Sequence, residues 1–284
     1  MTIDAKTTLC AVIGNPIGHS LSPTIHNAAF QATNLNFCYT AFEVSDVEQA
    51  IQGMRGLGIR GFSITIPHKV TAMQFADELD PVAESIGSIN TLINNDGVLK
   101  GYNTDGIGAL RALESAGIAL EGAEATILGS GGAARAIACT LAAKSDLAKL
   151  NILGAVEDEV KNLHKNVAKQ TSAKVVGELI NSETLEAAMA NTGILINCTP
   201  IGMHPKVDES VVPPHLMSAP LVVFDIVYNP METKLLKEAK GNRCRTINGA
   251  EMFINQAIVQ FELFTGQNAP EAVMRKVVLS SLKG

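Results

Sequence analysis

Apolar strand-like runs alternate with stretches whose apolar positions recur at helical spacing, from residue 9 nearly to the end of the chain. In the first third, "LCAVIG" (9–14), "FCYTAFEV" (37–44) and "GFSITIP" (61–67) read as strands, with helices over about 23–33 and 46–57. "SINTLINNDGVLKGYN" (88–103) reads as a hairpin, because Asp96-Gly97 supplies the positive φ values of a two-residue turn. A helix follows from about Thr104 to Ala116. The pattern then resets with "ATILGSGGAARA" (125–136), a strand, a glycine turn and the start of a helix. "KLNIL" (149–153), "AKVVG" (173–177), "GILINCTP" (193–200) and "PLVVFDIVYNP" (220–230) are further strands, separated by helical stretches such as 157–170 and 182–190. Two helices, roughly 250–264 and 270–283, close the chain. The alternation predicts an α/β protein with parallel sheets, and the new βαβ series places a domain change at about 103–110.

Composition narrows the class. With 284 residues, 46% apolar and 18% charged, the chain can bury two sizeable cores. The formal net charge is -6 and there is no run of Lys or Arg, so neither nucleic acid nor an anionic membrane surface is expected as a partner. The five cysteines are scattered and none forms a C-x-x-C pair, which predicts buried small hydrophobes in a reducing cytoplasm and no metal site. No apolar stretch approaches the ~20 residues of a membrane helix.

Chemistry enters where patterns end oddly. In "GFSITIPHK" (61–69) Ser63 and Thr65 alternate with Ile64 and Ile66, Pro67 ends the ladder, and Lys69 is delivered behind it. That is the carboxyl edge of a strand, where α/β proteins bind ligands. In "GNPIGHSLSP" (14–23), Ser20 and Ser22 straddle Leu21, so both hydroxyls face one way if the stretch is extended; Ser22 also reads as a helix N-cap before Pro23. Asn90 and Thr91 in "INTLIN" and Asp105 at a helix start each have a structural reading of equal simplicity. A lysine, an aspartate, hydroxyls and amides together with a dinucleotide turn are what oxidation of a polyol requires.

That turn is Gly129-x-Gly131-x-x-Ala134, following a strand and opening a helix. Gly129 suits the tight turn, Gly131 lets the backbone approach a pyrophosphate, and Ala134 keeps helix and strand close. The residue that reads the adenosine ribose should lie ~20 positions on. There the chain reads Gly154-Ala155-Val156-Glu157-Asp158-Glu159, with no arginine for a 2′-phosphate. On chemistry alone the loop disfavours NADP, and a carboxylate placed at the strand end for NAD is also missing.

Eight segments in order, "GNPIGHSLSP", "FSITIPHK", "SINTLIN", "GYNTDG", "GSGGAARA", "NCTPIGM", "DIVYNP" and "NGAEMFINQA", resemble the motifs of the shikimate dehydrogenase family over nearly the whole chain. The resemblance implies two lobes: an N-terminal α/β substrate-binding domain (1–105 with 248–284) and a Rossmann-type dinucleotide-binding domain (106–247). It implies interconversion of shikimate and 3-dehydroshikimate in aromatic amino-acid biosynthesis, with quinate a further substrate of some members. Carried over residue by residue, Lys69 and Asp105 are implied as the catalytic pair. Ser20, Ser22, Thr65, Asn90, Tyr228 and Gln256 are implied as substrate ligands. The turn Gly129, Ser130, Gly131, Gly132 and Ala133, together with Asn197, Thr199, Met203, Gly249 and Met252, is implied to hold the cofactor. Burial lowers a lysine pKa and a neighbouring carboxylate raises it. Whether Lys69 acts as base or as proton donor to the ketone therefore stays open.

Departures from the family pattern are equally informative. Ser63 stands at the first position of "N-V-T-x-P-x-K", and Phe264 replaces the tryptophan of "W-T-G". The "N-R-T-x-x-R/K" loop of NADP-using members has lost both cations, to Ala155 and Glu159. NADP is implied by the family, while NAD or dual use is what the loop itself suggests. A broader quinate/shikimate dehydrogenase, NAD-linked, is the second enzyme reading. A non-catalytic sensor of shikimate or the nucleotide is the alternative from another class, disfavoured by the retention of Lys69 and Asp105. A monomer and a homodimer are both compatible with the sequence.

Overall fold

The computed structural model describes residues 3–282; residues 1–2 and 283–284, among them Lys283 of the expected last helix, lie outside the described residues. The chain opens with β1 (Thr8–Gly14), α1 (Ser22–Ala32), β2 (Phe37–Glu43), α2 (Val47–Leu57) and β3 (Gly61–Ile64). A 3-10 turn at Thr71–Phe75, β4 (Glu78–Leu79) and α3 (Pro81–Ile86) lead into β5 (Thr91–Asn95) and β6 (Val98–Tyr102). The next series is α4 (Asp105–Ser115), β7 (Glu124–Leu128), α5 (Gly132–Lys144), β8 (Lys149–Gly154), α6 (Glu157–Val167), β9 (Lys174–Leu179) and α7 (Ser182–Met189). It continues with β10 (Ile194–Asn197), β11 (Val222–Asp225), α8 (Lys234–Gly241) and β12 (Arg245–Ile247), before α9 (Gly249–Thr265) and α10 (Glu271–Ser281). These elements fall into two compact units: one runs to Thr104 and resumes at Ile254, and the other is Asp105–Phe253.

The first sheet has the order β2-β1-β3-β5-β6-β4. β1, β2 and β3 run parallel, but β5 is antiparallel to both β3 and β6. The hairpin expected at 88–103 is present as β5 and β6, and the expectation of parallel sheets is corrected at the β3–β5 pair. Asp96 and Gly97, at φ 53° and 95°, return the chain directly, and a two-residue turn can join only antiparallel strands. Inward residues such as Ile13, Phe62, Ile64, Leu92 and Leu99 build the core with Ile51 and Met54 of α2. That helix starts where the Asp46 side chain accepts from Gln49 N and stops at Gly58, φ 65°.

The second sheet is all parallel, in the order β12-β11-β10-β7-β8-β9. From β7 the chain steps outward through β8 to β9, then crosses to β10 and continues the other way. The strand order therefore reverses between β7 and β10, and the crevice at their carboxyl ends is where an open α/β sheet binds ligands. Leu128, Leu153, Leu195 and Val223 fill one face of it with Leu185, Leu235 and Leu236. β4, α3 and β12 went unread in the sequence, since two to six residues are too few to establish a period, and α8 was not assigned either.

One buried group makes the first unit acid-sensitive. His26 of α1 has no exposed surface, stacked on Tyr39 at 4.5 Å and edge-on to Phe264 at 5.6 Å between ring centroids. Burial pushes its pKa down to about 3, opposed by the nearby Gln260 amide. Below the ordinary histidine value of about 6.5 the unfolded chain takes up a proton that the folded chain refuses. From this group, stability present above that pH is lost at ~1.4 kcal/mol per pH unit as pH falls toward 3. Urea unfolding of His26→Phe should show a flatter acid limb than wild type, and equal slopes would remove His26 as the cause.

Candidate active site

Lys69 lies beyond a strand that ends earlier than its sequence suggests. β3 stops at Ile64, three residues before Pro67, although Thr65 N still donates to Ile13 O at 3.0 Å. The chain then turns, with His68 N donating to Thr65 O at 2.9 Å. His68, buried, places its Nε2 2.7 Å from Val44 O, and Lys69 O accepts from Ile89 N at 2.9 Å. These bonds fix the backbone on both sides of Lys69, whose residue is half-buried. His68 has a structural task, and Thr65 is half-buried on the same turn.

The first unit also gathers a buried polar cluster. Asn90 is 3% exposed, and its Oδ1 accepts from Thr104 N and from Thr91 Oγ1, both at 2.8 Å. Asn90 Nδ2 donates to Thr104 Oγ1 at 3.0 Å, and Thr104 Oγ1 donates to Gln256 Oε1 at 3.5 Å. Gln256 sits on α9, far along the chain, so the cluster joins two of the expected substrate ligands. Ser20 and Ser22 lie at the start of α1, but not as an extended pair: Ser20 N donates to Ile17 O at 3.0 Å in a turn. The N-cap is Leu21, with no side-chain bond, and Ser22 is the first helical residue. The N-cap reading of Ser22 is therefore corrected. Ser22 N instead donates to Ser20 Oγ at 3.3 Å, because the first amides of a helix have no intrahelical carbonyl to bond.

In the second unit the glycine turn leaves β7 at the point where strand order reverses. Gly129 has φ 109°, and a Cβ there would come 3.2 Å from both the carbonyl carbon and the oxygen of Cys198 behind β10. Only glycine meets both demands. α5 then begins with Gly131 as an N-cap that has no side-chain bond, and with no acidic residue in the first turn. Gly131 and Gly132 are exposed, and around each there is open space where a Cβ would stand. Backbone N–H groups at an uncapped helix start, reached over bare glycine, fit a pyrophosphate. A nicotinamide dinucleotide therefore fits this cradle, with Ser130 and Ala133 completing the turn.

The loop after β8 packs directly on that turn. A Cβ on Gly154 would lie 2.7 Å from Ser130 Oγ and from Val160 Cγ2. Glu159, in the first turn of α6, accepts a 2.8 Å bond from Ser130 Oγ. Glu157 and Asp158 share that turn, and Lys161 is paired to Glu157 at 2.6 Å. The expected ribose-reading loop is thus next to the turn and lined by carboxylates.

Other expected residues of this unit are placed around the same sheet edge. Asn197, at the end of β10, is fully buried; its Oδ1 accepts from Thr199 N and Oγ1 at 3.0 and 2.7 Å, and its Nδ2 donates to Asp225 Oδ1 at 3.0 Å. It holds the loop that presents Thr199 and the exposed Met203. Asp225 also accepts from Thr233 Oγ1 at 2.6 Å and Val227 N at 3.1 Å. Burial raises its pKa and these donors oppose the shift. Tyr228, 41% exposed, stacks on Phe253 with ring centroids 5.1 Å apart. Gly249 opens α9, where a Cβ would fall 2.1 Å from Ile226 O, and Met252 is buried one turn later. Asp105 is the first residue of α4, half-buried. It is followed by Gly106, where a Cβ would lie 2.0 Å from Thr140 Oγ1, so α4 is pressed onto α5 at this point.

Sequence reasoning missed Thr91, Thr104, Ser63 and Gln260 as a linked set, and missed the bond between Ser130 and Glu159. A signal for one was present: Gln260 lies four residues after Gln256, on the same helix face. Among the described residues no group of three or more His, Cys, Asp or Glu side chains is arranged to hold a metal ion, and no helix is long and apolar enough to cross a membrane.

Residues 12–92 match the model of the shikimate dehydrogenase substrate binding domain, and residues 249–279 that of the shikimate 5'-dehydrogenase C-terminal domain. A shikimate dehydrogenase (NADP(+)) from Moorella thermoacetica is 40% identical over 282 residues, covering 99% of this chain and 95% of the relative. Among solved structures, shikimate 5-dehydrogenase from Listeria monocytogenes in complex with shikimate and NAD superposes with a TM-score of 0.92 at 35% identity, over 98% of both chains. A shikimate dehydrogenase in complex with NADP+ reaches 0.91 at 40% identity, over 99% of this chain and 98% of that one.

Proposed function

Because the chain belongs to the shikimate dehydrogenase family, we propose that it catalyses reversible hydride transfer between shikimate and 3-dehydroshikimate, using a nicotinamide dinucleotide. The observation that carries the reading is the uncapped start of α5, approached over bare glycine at the reversal point of a parallel sheet. When bound, the nicotinamide ring supplies the hydride acceptor or donor. The chain has to bind the polyol, orient it, and take or give the proton of the reacting hydroxyl. Lys69, on a turn anchored through His68 and Ile89, is assigned the proton at the substrate oxygen, with Asp105 as its catalytic partner. Ser20, Ser22, Thr65, Asn90, Tyr228 and Gln256 are assigned to the hydroxyl and carboxylate groups of the substrate. Gly129–Ala133, Asn197, Thr199, Met203, Gly249 and Met252 are assigned to the dinucleotide. The two units are proposed as substrate-binding and dinucleotide-binding domains of a cytoplasmic enzyme acting as a monomer or homodimer in aromatic amino-acid biosynthesis.

Amide and hydroxyl ligands suit a polyol because each buried hydrogen bond left unmade costs about 1–3 kcal/mol. Steady-state oxidation of shikimate and of quinate, each with NAD and with NADP, tests the substrate. Shikimate is expected to exceed quinate in kcat/KM by about tenfold or more, since an extra ring substituent brings a further polar group that has to be desolvated and paired. Comparable values would favour the broader quinate/shikimate dehydrogenase, and no turnover of either would overturn the proposal.

A second reading concerns the cofactor. The Ser130–Glu159 bond holds a carboxylate in the loop expected to read the adenosine ribose, where a 2′-phosphate would meet negative charge and no cation. This favours an enzyme that works with NAD.

A further inference from the structure

We infer that Glu159 reads the adenosine ribose of the dinucleotide by accepting from its 2′-hydroxyl, and that Ser130 is the positioning residue that holds Glu159 in place. The inference rests on the reading that a nicotinamide dinucleotide lies over the glycine turn. Where such a fold binds NAD, the ribose is recognised by a carboxylate at the end of the strand that follows the turn. Here that strand is β8, and its last residue is Gly154. A side chain has no room there. A Cβ on Gly154 would lie 2.7 Å from Ser130 Oγ, 2.8 Å from Ser130 Cβ and 2.7 Å from Val160 Cγ2. The carboxylate therefore has to come from a neighbouring element.

That element is α6. Glu157, Asp158 and Glu159 stand in its first turn, and among the described residues only Glu159 of the three is bonded to the glycine turn. Glu157 is paired instead to Lys161 of its own helix, at 2.6 Å. Glu159 accepts from Ser130 Oγ at 2.8 Å. Ser130 is 5% exposed, while Glu159 is exposed, so the anchor lies inside the turn and the carboxylate stays open to a ligand. The hydroxyl has a single proton, and it goes to Glu159 Oε2. A carboxylate offers about four lone-pair sites over its two oxygens, so Oε1 is left to accept from a second hydroxyl. A carboxylate can only accept. It suits a ribose 2′-hydroxyl as donor and repels the phosphate that NADP carries on the same oxygen. One side chain, Ser130, thus both bars the strand end and holds the replacement.

A latch that merely pinned the loop to the turn would act on every dinucleotide alike, so two that differ in one hydroxyl separate the roles. Wild type and Glu159→Ala are titrated by calorimetry with NAD and with NAD lacking the adenosine 2′-hydroxyl, and Tm is recorded for each protein. Wild type is expected to bind NAD about tenfold more tightly than the deoxy form, which lacks one hydrogen bond to a charged group. In Glu159→Ala the two should bind within about twofold of each other. Ser130→Ala keeps the carboxylate but releases it, and its preference for NAD should fall to about threefold. Equal affinity of wild type for the two dinucleotides overturns the inference. So does a Glu159→Ala protein that keeps the wild-type ratio, whatever its absolute affinities. If Glu159→Ala does not fold, the same criterion applied to Ser130→Ala decides. A wild type that binds neither dinucleotide would instead overturn the functional reading together with this one.

Discussion

Lys69→Ala is expected to lower kcat for shikimate oxidation by about a thousandfold while shikimate binding stays within a few-fold of wild type. General acid–base catalysis by a positioned side chain is worth roughly 10²–10⁴ in rate, and the reacting hydroxyl has to exchange its proton with some group as hydride moves. The local structure makes the experiment clean. The turn bearing Lys69 is tied by His68 Nε2 to Val44 O at 2.7 Å and by Ile89 N to Lys69 O at 2.9 Å, and neither tie involves the ammonium. Truncation therefore removes the amine and leaves both of these ties in place. Turnover within a few-fold of wild type would mean that the proton is handled elsewhere. Full loss of turnover with intact shikimate binding would also exclude a protein that only senses its ligand.

Wild-type enzyme is expected to bind NAD about tenfold or more tightly than NADP, measured by calorimetry and not only by turnover. Each charge-assisted contact to a phosphate contributes on the order of 1.5–3 kcal/mol, equivalent to roughly 10- to 150-fold in affinity. The loop at 154–159 provides no cation, and its three carboxylates stand in the first turn of α6. Distance does not excuse them, since Gly154 is packed onto Ser130 and Glu159 is bonded to the Ser130 hydroxyl at 2.8 Å. The double variant Ala155→Arg with Glu159→Arg should improve the KM for NADP about tenfold, by removing one negative charge and adding two positive ones beside the phosphate. Unchanged NADP kinetics in the variant, or NADP binding as tight as NAD in wild type, would show that the adenosine phosphate is read by other residues. The relatives described as NADP(+) enzymes make this a real contest between family and local chemistry.

The elements that were legible in the sequence are those whose cause is local. The period of α2, its Asp46 cap and its Gly58 stop lie within a dozen residues, and the Asp96-Gly97 turn declares its own hairpin. The glycine turn after β7 is readable for the same reason, because a positive φ at Gly129 and an open helix start are demands on neighbouring residues. Contacts between distant residues were not legible. Ser22 reads equally well as a cap until Leu21 is seen to take that place. Nothing near Asn90 in the chain announces Gln260, 170 residues away, nor does Ser130 announce Glu159, 29 residues away. Likewise the strand pattern of "GFSITIP" persists through Pro67, while β3 ends at Ile64 because the turn closed by His68 intervenes.

By itself, then, the sequence determined the alternation of strands and helices, the dinucleotide turn and the set of polar residues available for a polyol, because steric and periodic constraints act over a few residues. Only the tertiary structure decided the mixed order of the first sheet, the direction of the bonds that orient Asn90, and the carboxylate held beside the glycine turn. Hydrogen-bond polarity depends on which donor is brought to which acceptor, and that is a property of packing.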